Sequence, residues 1–418
     1  MKAHVEGYGC SLNKADTQAI ESMLKEQGFG TAGIESLGKG DIAVINACAV
    51  KETTEKRMLS RIERLNKLAE KKKFTLIVFG CLSRISPERV EKISQKIVLL
   101  PPELESLAEF LGIEKKGFSP ENREDSEGII SIIPICRGCL GECSYCAVRH
   151  ARGILKSRSI EGIAKEFRKG LENGKKEFWL TAQDCGCYGF DIGENLASLL
   201  KRLLKEKGNY RIRLGMMNAQ HLRKFLPELL EQMKDERVFK FLHLPLQSGN
   251  DRILKLMNRK YSVKEWLACV KECRRKFPEI SMATDIIVGF PAEAEKEFEG
   301  TLKAIESAEC DVVNISRYGK RPFTQAAKMR EVQSIEKKFR SRKATEVYGA
   351  LAMKANAKMI GKECVVLIDE KGKERTVVGR SGNYKPVVLM KGKIGNFAEV
   401  KIISAEKSFL KGEIAENK

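Results

Sequence analysis

The sequence contains no apolar run approaching the roughly 18 residues that a membrane-spanning helix requires. Its first residues enter a strand-like segment, Ala3 to Gly7, without the apolar stretch of a secretory leader, so the expectation is a soluble, unexported, cytoplasmic protein. There is no low-complexity tract, and no repeat beyond an alternation of strand-like and helix-like segments. Gly7-x-Gly9 ahead of a helical pattern lacks the third glycine of a dinucleotide-binding turn. Histidine occurs only four times, and His4, His150 and His221 belong to no motif.

Cysteine and positive charge are plentiful instead. The chain has 418 residues, more than one core usually serves, so two or three domains are expected. Thirteen cysteines, an odd number in a long chain without a leader, argue against a disulfide framework and for metal ligation. The 76 Lys and Arg against 56 Asp and Glu give a formal charge of +20, which suits a polyanionic partner.

Hydrophobic patterning divides the chain. Residues 1–113 alternate apolar runs (Asp41 to Asn46, Thr75 to Phe79) with helical stripes such as Ala19, Ile20, Met23 and Leu24, the pattern of an open α/β sheet. Residues 114–128, charged and without apolar period, read as a linker. Residues 129–355 hold six apolar runs, each before a helical segment: Ile129 to Ile135, Glu177 to Thr181, Arg211 to Met216, Phe239 to Leu244, Met282 to Val288 and Val312 to Ile315. Six β/α units predict a partial parallel barrel with its site at the C-terminal ends of the strands. In residues 356–418, four short strands (Cys364 to Ile368, Thr376 to Val378, Pro386 to Met390, Ala398 to Ile403) suggest a small antiparallel barrel.

The string Cys139-Leu-Gly-Glu-Cys143-Ser-Tyr-Cys146 follows the first strand of the central segment. Three thiolates on one loop can hold three corners of an iron–sulfur cubane and leave the fourth iron open. A zinc site is the alternative, with Cys136 and Cys139 as a Cys-x2-Cys pair, but structural zinc takes four ligands. Cys10, Cys48 and Cys81 each follow a strand-like run, and loops after parallel strands converge on one edge of a sheet. They suggest a second three-thiolate cluster; the alternative is three small buried hydrophobes.

The Cys139, Cys143, Cys146 spacing resembles the signature of the radical S-adenosylmethionine superfamily, in which Tyr145 would pack near the adenine and Cys136 would be an extra thiol. Together with EGYGCSLNKAD, VINACAV and VFGCLS around the first three cysteines, RLGMMN at Arg213, HLPLQSGND at His243, TDIIVGFP at Thr284 and SRYGKRPFTQAAKM at Ser316, the chain resembles the methylthiotransferase family. That resemblance implies two [4Fe-4S] clusters, S-adenosyl-L-methionine, and a C-terminal RNA-binding barrel of the TRAM type. It implies that the Cys139, Cys143, Cys146 cluster generates a radical from one S-adenosylmethionine. A second supplies methyl, and the cluster on Cys10, Cys48 and Cys81 carries the sulfur. An electron donor and a sulfur donor, of unknown identity, are implied as partners.

Gln183, Asp184, Arg213, Gln247 and Asp285, near strand ends, are the expected S-adenosylmethionine contacts. For RNA, the basic terminal barrel offers Lys373, Arg375, Arg380 and Lys385 to phosphates and Tyr384 to a base. Arg149, Arg152, Lys156 and Arg158 would continue the phosphate track. The segment TAQDCGCYGFDIG, Thr181 to Gly193, is similar to members that act on N6-threonylcarbamoyladenosine at position 37 of the tRNA anticodon loop, except at Cys185 and Cys187. Isopentenyladenosine at that position and a ribosomal protein aspartate are the other substrates the resemblance allows.

Overall fold

The computed structural model describes residues 1–113 and 128–415; the linker expected at 114–128 lies, but for Gly128, outside them. Two compact units are present. One comprises the described residues of Met1–Ser126 with Cys136–Lys156 and Gly319–Lys328; the other comprises the described residues of Glu127–Ile135, Ser157–Tyr318 and Met329–Lys418. Among the described residues, no helix is long and apolar enough to cross a membrane.

In the first unit, β1 (Lys2–Gly7), β2 (Gly30–Thr31), β3 (Ile42–Asn46), β4 (Thr75–Phe79) and β5 (Val98–Leu100) form a parallel sheet in the order β2-β1-β3-β4-β5. β3 and β4 are apolar on successive residues because helices cover both faces. On one face Ala43, Ile45, Leu76 and Val78 meet Met58, Ile62 and Leu65 of helix Glu52–Lys72. On the other, Val44, Ile77 and Phe79 meet Ala19, Ile20, Met23 and Leu24 of helix Ser11–Glu26. The chain leaves that helix through Gly28, whose φ of 77° is the left-handed conformation glycine adopts without steric cost.

The second unit begins with β6 (Ile130–Pro134). The cysteine-bearing loop that comes next, with short strands β7 (Cys136–Arg137) and β8 (Lys156–Ser157) at its ends, belongs to the first unit as far as Lys156; the second continues with β9 (Glu177–Thr181), β10 (Arg211–Leu214), β11 (Phe241–His243), β12 (Ser281–Val288) and β13 (Val312–Arg317). They pair as parallel sheets β10-β9-β6 and β11-β12-β13. Across the break, the Phe239 N–H donates to Ile212 O at 3.0 Å and the Met217 N–H to His243 O at 2.9 Å. The six strands therefore run in sequence order, as the β/α alternation predicts. Phe178 packs outward on Phe167, ring centroids 4.0 Å apart, which leaves Trp179 on the opposite, inner face, in register with Arg213.

Helix Ser334–Ala357 leads to a closed barrel of β14 (Glu363–Lys371), β15 (Val377–Ser381), β16 (Pro386–Leu389), β17 (Phe397–Ala405) and β18 (Leu410–Ile414). Four antiparallel strands were expected; the barrel has a fifth, and β18 runs parallel to β16, so it is mixed. β18 escaped the pattern because Leu410 and Ile414 are its only large apolar residues. Its Leu410 completes a core of Val366, Ile368, Val387, Leu389, Val400 and Ile402.

The loop Gly382 to Lys385 ties this barrel to the first residues of the parallel strands. The Lys240 N–H donates to Gly382 O at 2.8 Å and Asn383 Nδ2 to Glu279 O at 3.1 Å. Lys385 Nζ donates to Asp311 Oδ1 at 2.6 Å and Asn356 Oδ1 at 2.9 Å. The small barrel thus sits at the N-terminal ends of the strands, the end that in β/α barrels serves stability, with the chemistry at the other.

Candidate metal and cofactor site

β1, β3 and β4 are neighbours, and Gly7, Asn46 and Phe79 stand in register where they end. The turns that follow carry Cys10, Cys48 and Cys81 on one edge of the sheet. Cys10 precedes helix Ser11–Glu26, Cys81 opens the short helix Cys81–Ile85, and Cys48 lies buried between. The backbone at Gly9, φ 121°, passes so near that an added Cβ would lie 2.7 Å from the Cys48 Cβ. Asn46 Nδ2 donates to Asn13 O at 2.8 Å and to Thr17 Oγ1 at 3.0 Å, while Asn13 Nδ2 donates to Tyr8 O at 2.9 Å. Burial, with added repulsion from Cys81 and Cys10, pushes the Cys48 thiol up to about 11. Burial also raises Cys81, against the opposing charge of Arg152. Three thiols on neighbouring turns suit a cluster that replaces three protons with iron.

The second triplet lies in the same unit. Gly138, φ 72°, has no room for a side chain: a Cβ would meet Ile154 O at 2.1 Å. The Cys139 N–H donates to Gly153 O at 3.3 Å, and the Cys146 N–H to Cys143 O at 3.1 Å. The Gly141 N–H donates to Cys139 Sγ at 3.2 Å, a contact that strengthens when the sulfur is a thiolate. Burial and then the charge of Cys143 push Cys146 up to about 12, with Cys139 adding to it. Cys139, Cys143 and Cys146 are each half-buried, as is Tyr145 between the last two. The donor set fits a four-iron cluster with one iron left to another ligand. The Ala326 N–H donates to Ser144 O at 2.8 Å, fastening the segment Gly319–Lys328 to this loop.

After Cys146, helix Val148–Arg152 sinks Ala147 and Ala151 into the core of the first unit. Arg152 is therefore turned inward, and the surface phosphate track expected of it is absent: its Nη1 reaches Asp16 Oδ2 at 2.6 Å and its Nε reaches Cys81 Sγ at 3.4 Å. Arg158 is likewise occupied, by Glu166 at 2.6 Å and Pro134 O at 2.9 Å. Lys156 is exposed, and Arg149 pairs with exposed Glu142 at 2.6 Å.

In the second unit, the turn after β9 carries Gln183 and Asp184. Asp184 is buried and organises that turn: Oδ1 accepts from the Gly186 N–H at 2.8 Å and the Asn218 N–H at 3.0 Å, and Oδ2 meets His221 Nδ1 at 2.8 Å. This gives His221 a partner that no motif disclosed. Cys185 and Cys187 are buried in a short 3-10 turn, Cys187 Sγ donating to Asp184 O at 3.2 Å. Gln183 Oε1 is buried with no hydrogen-bond partner among the described residues. Gln247, φ 70°, bridges to Ile286, and its N–H donates to Asp285 O at 2.8 Å. Asp285 Oδ1 takes His243 Nε2 at 3.0 Å and Asn314 Nδ2 at 2.8 Å, a polar row across β11, β12 and β13. Sequence reading missed Asn314, whose only signal is its place on the strand after Asp285.

Arg213 does not join that group. Its guanidinium lies over Trp179, Phe241 and Tyr384, 5.3, 5.4 and 5.1 Å from the ring centroids. Tyr384 and Lys385, expected at RNA, are instead in the seam between small barrel and parallel strands. Arg380 pairs with Asp369 at 2.8 Å and Glu370 at 2.7 Å and lies over Tyr384. Lys373 and Arg375, in the β14–β15 turn, are exposed.

Comparison with known proteins agrees with this architecture. The Radical SAM superfamily model matches residues 133–305, Uncharacterized protein family UPF0004 matches 2–100, and the TRAM domain matches 357–415. A solved radical S-adenosylmethionine methyltransferase, TsrM from Kitasatospora setae, shares the fold with a TM-score of 0.61 at 13% identity, over 78% of this chain and 77% of that one. Fold and thiol loop define a radical S-adenosylmethionine enzyme.

Among curated relatives, a probable threonylcarbamoyladenosine tRNA methylthiotransferase of Pyrococcus horikoshii is 40% identical over 99% of both chains. A threonylcarbamoyladenosine tRNA methylthiotransferase of Xenopus laevis is 30% identical over 99% of this chain and 77% of its own. A tRNA-2-methylthio-N(6)-dimethylallyladenosine synthase of Caldicellulosiruptor saccharolyticus is 32% identical over 98% of this chain and 92% of its own. The chain belongs to the methylthiotransferase family of radical S-adenosylmethionine enzymes.

Proposed function

We propose that the protein attaches a methylthio group to C2 of N6-threonylcarbamoyladenosine at position 37 of tRNA. The observation that carries this reading is 40% identity along 99% of the chain to a relative named for that nucleoside, against 32% to one named for the dimethylallyl nucleoside. C2 of adenine bears no leaving group and no acidic hydrogen. Bound by Cys139, Cys143 and Cys146, a four-iron cluster with an open iron supplies the electron that cleaves S-adenosylmethionine, the radical chemistry such a carbon requires.

Cys10, Cys48 and Cys81 hold a second cluster, which serves sulfur transfer. In the second unit, Gln183 offers its unpaired Oε1 to S-adenosylmethionine, and Asp285 and Gln247 line the ends of their strands. The exposed Lys373 and Arg375 attract the tRNA backbone. The target base leaves the anticodon-loop stack at a cost of a few kcal/mol. A tRNA substrate places the enzyme in the cytoplasm, with an electron donor and a sulfur donor as further partners.

The test is mass spectrometry of tRNA nucleosides from cells with and without the gene. Loss of 2-methylthio-N6-threonylcarbamoyladenosine on deletion, with its unthiolated precursor accumulating, is expected. An unchanged level of that nucleoside overturns the assignment and directs the same assay to isopentenyladenosine and then to ribosomal protein.

A further inference from the structure

Within the first unit, one buried charged group lies on the segment that follows Cys139, Cys143 and Cys146 and contacts Cys81 of the other triplet. Arg152 is only 6% exposed. Its guanidinium donates to Asp16 Oδ2 at 2.6 Å, Asn13 Oδ1 at 2.9 Å, Pro102 O at 3.4 Å and Cys81 Sγ at 3.4 Å. Asp16, 1% exposed, also accepts from Arg137 Nη2 at 3.2 Å. Two cations thus share one carboxylate, and the trio retains a positive charge beside Cys81. A buried charge needs a counter-charge, because removing it from water costs several kcal/mol. Asn13 and Pro102 offer neutral acceptors only, so the Cys81 sulfur is, beside Asp16, the acceptor of this guanidinium that can carry negative charge, as a ligating thiolate.

We propose that Arg152 is a positioning residue for the cluster held by Cys10, Cys48 and Cys81, donating a hydrogen bond to the ligating sulfur of Cys81 and raising that cluster's reduction potential. The inference rests on the second-cluster reading above. Its physics is direct: reduction adds an electron, a neighbouring positive charge stabilises the reduced form, and hydrogen bonds to ligand sulfur act in the same sense. Arg137, on the far side of Asp16, contributes with the same sign and less strength.

The experiment uses the full chain carrying Cys139→Ala, Cys143→Ala and Cys146→Ala, so that only the N-terminal cluster remains. It is reconstituted anaerobically with iron and sulfide, and titrated against potential by electron paramagnetic resonance. Arg152→Gln in this background is expected to keep its iron and to titrate at a more negative potential, with Arg152→Lys returning toward the parent. Equal midpoints for Arg152→Gln and parent at full iron loading overturn the proposal. Should Arg152→Gln fail to fold or load, the half-buried Arg137→Gln decides: a smaller negative shift supports the proposal, and no shift overturns it. A parent that binds no iron refutes the second cluster itself and the proposal with it, an outcome distinct from a loaded cluster whose potential does not move.

Discussion

The guanidinium of Arg213 lies over the ring of Tyr384, 5.1 Å from its centroid, joining the middle of a central strand to the loop of the small barrel. Phe239 and Phe241 close on the same ring at 4.8 and 5.1 Å. Tyr384→Ala is expected to lower stability by about 3 kcal/mol, as aromatic-to-alanine changes in packed sites do. Urea unfolding checks it. In a double-mutant cycle with Arg213→Ala, the two losses should sum to more than the double variant loses, because each removes the other's partner.

Exposed and buried cations of the small barrel should separate in the same assays. Lys373→Ala and Arg375→Ala are expected to weaken tRNA binding, each lowering the slope of log affinity against log salt by about 1, with unfolding unchanged. Lys385→Ala should instead destabilise the protein, since it removes the closer cation from Asp311, whose side chain is 9% exposed and which keeps only Arg274 at 3.4 Å for its charge. Filter binding at several salt concentrations, beside urea unfolding, distinguishes the two classes.

Glu177 begins β9 in the same seam, its Oε1 accepting from Trp179 Nε1 at 2.5 Å. Burial, and then the charge of Asp369, push it from 4.5 up to about 7. A carboxyl raised in the folded state binds its proton more tightly there than in the unfolded chain. Stability therefore falls as pH rises from about 4.5 to 7 and levels off above. Glu177→Gln keeps an acceptor for Trp179 and cannot ionise. It should exceed the parent in thermal stability at pH 8 and lose that advantage near pH 4; an equal difference at both pH values refutes the assignment.

Gly28 and Gly138 both have positive φ, 77° and 72°, but only Gly138 meets a neighbour: a Cβ would fall 2.1 Å from Ile154 O, against open space at Gly28. Gly28→Ala should cost about 1 kcal/mol from backbone strain alone. Gly138→Ala should also displace the Cys139 loop and lose the iron it holds. Iron per chain after reconstitution, in a background lacking Cys10, Cys48 and Cys81, reads this out.

The cysteine triplets were legible because their signal is local: three thiols at short spacing, or one thiol after each of three apolar runs. The six strands were legible for the same reason, since each is a short, largely apolar run standing before a helical segment. β18 was not, because Leu410 and Ile414 make too short a pattern, and its parallel pairing with β16 depends on a barrel closing around it. Arg152 looked like its neighbours Arg149 and Lys156 in the sequence. Only the packing of Ala147 and Ala151 turns it inward onto Asp16 and Cys81.

The sequence by itself thus determined the chemistry the chain can support, since ligand type and spacing are properties of a few consecutive residues. Which charges serve that chemistry was decided by tertiary structure. A lysine or arginine is equally basic in the sequence wherever it stands, and only burial against a carboxylate, as with Lys385 on Asp311 and Arg152 on Asp16, removes it from the surface that a polyanion could meet.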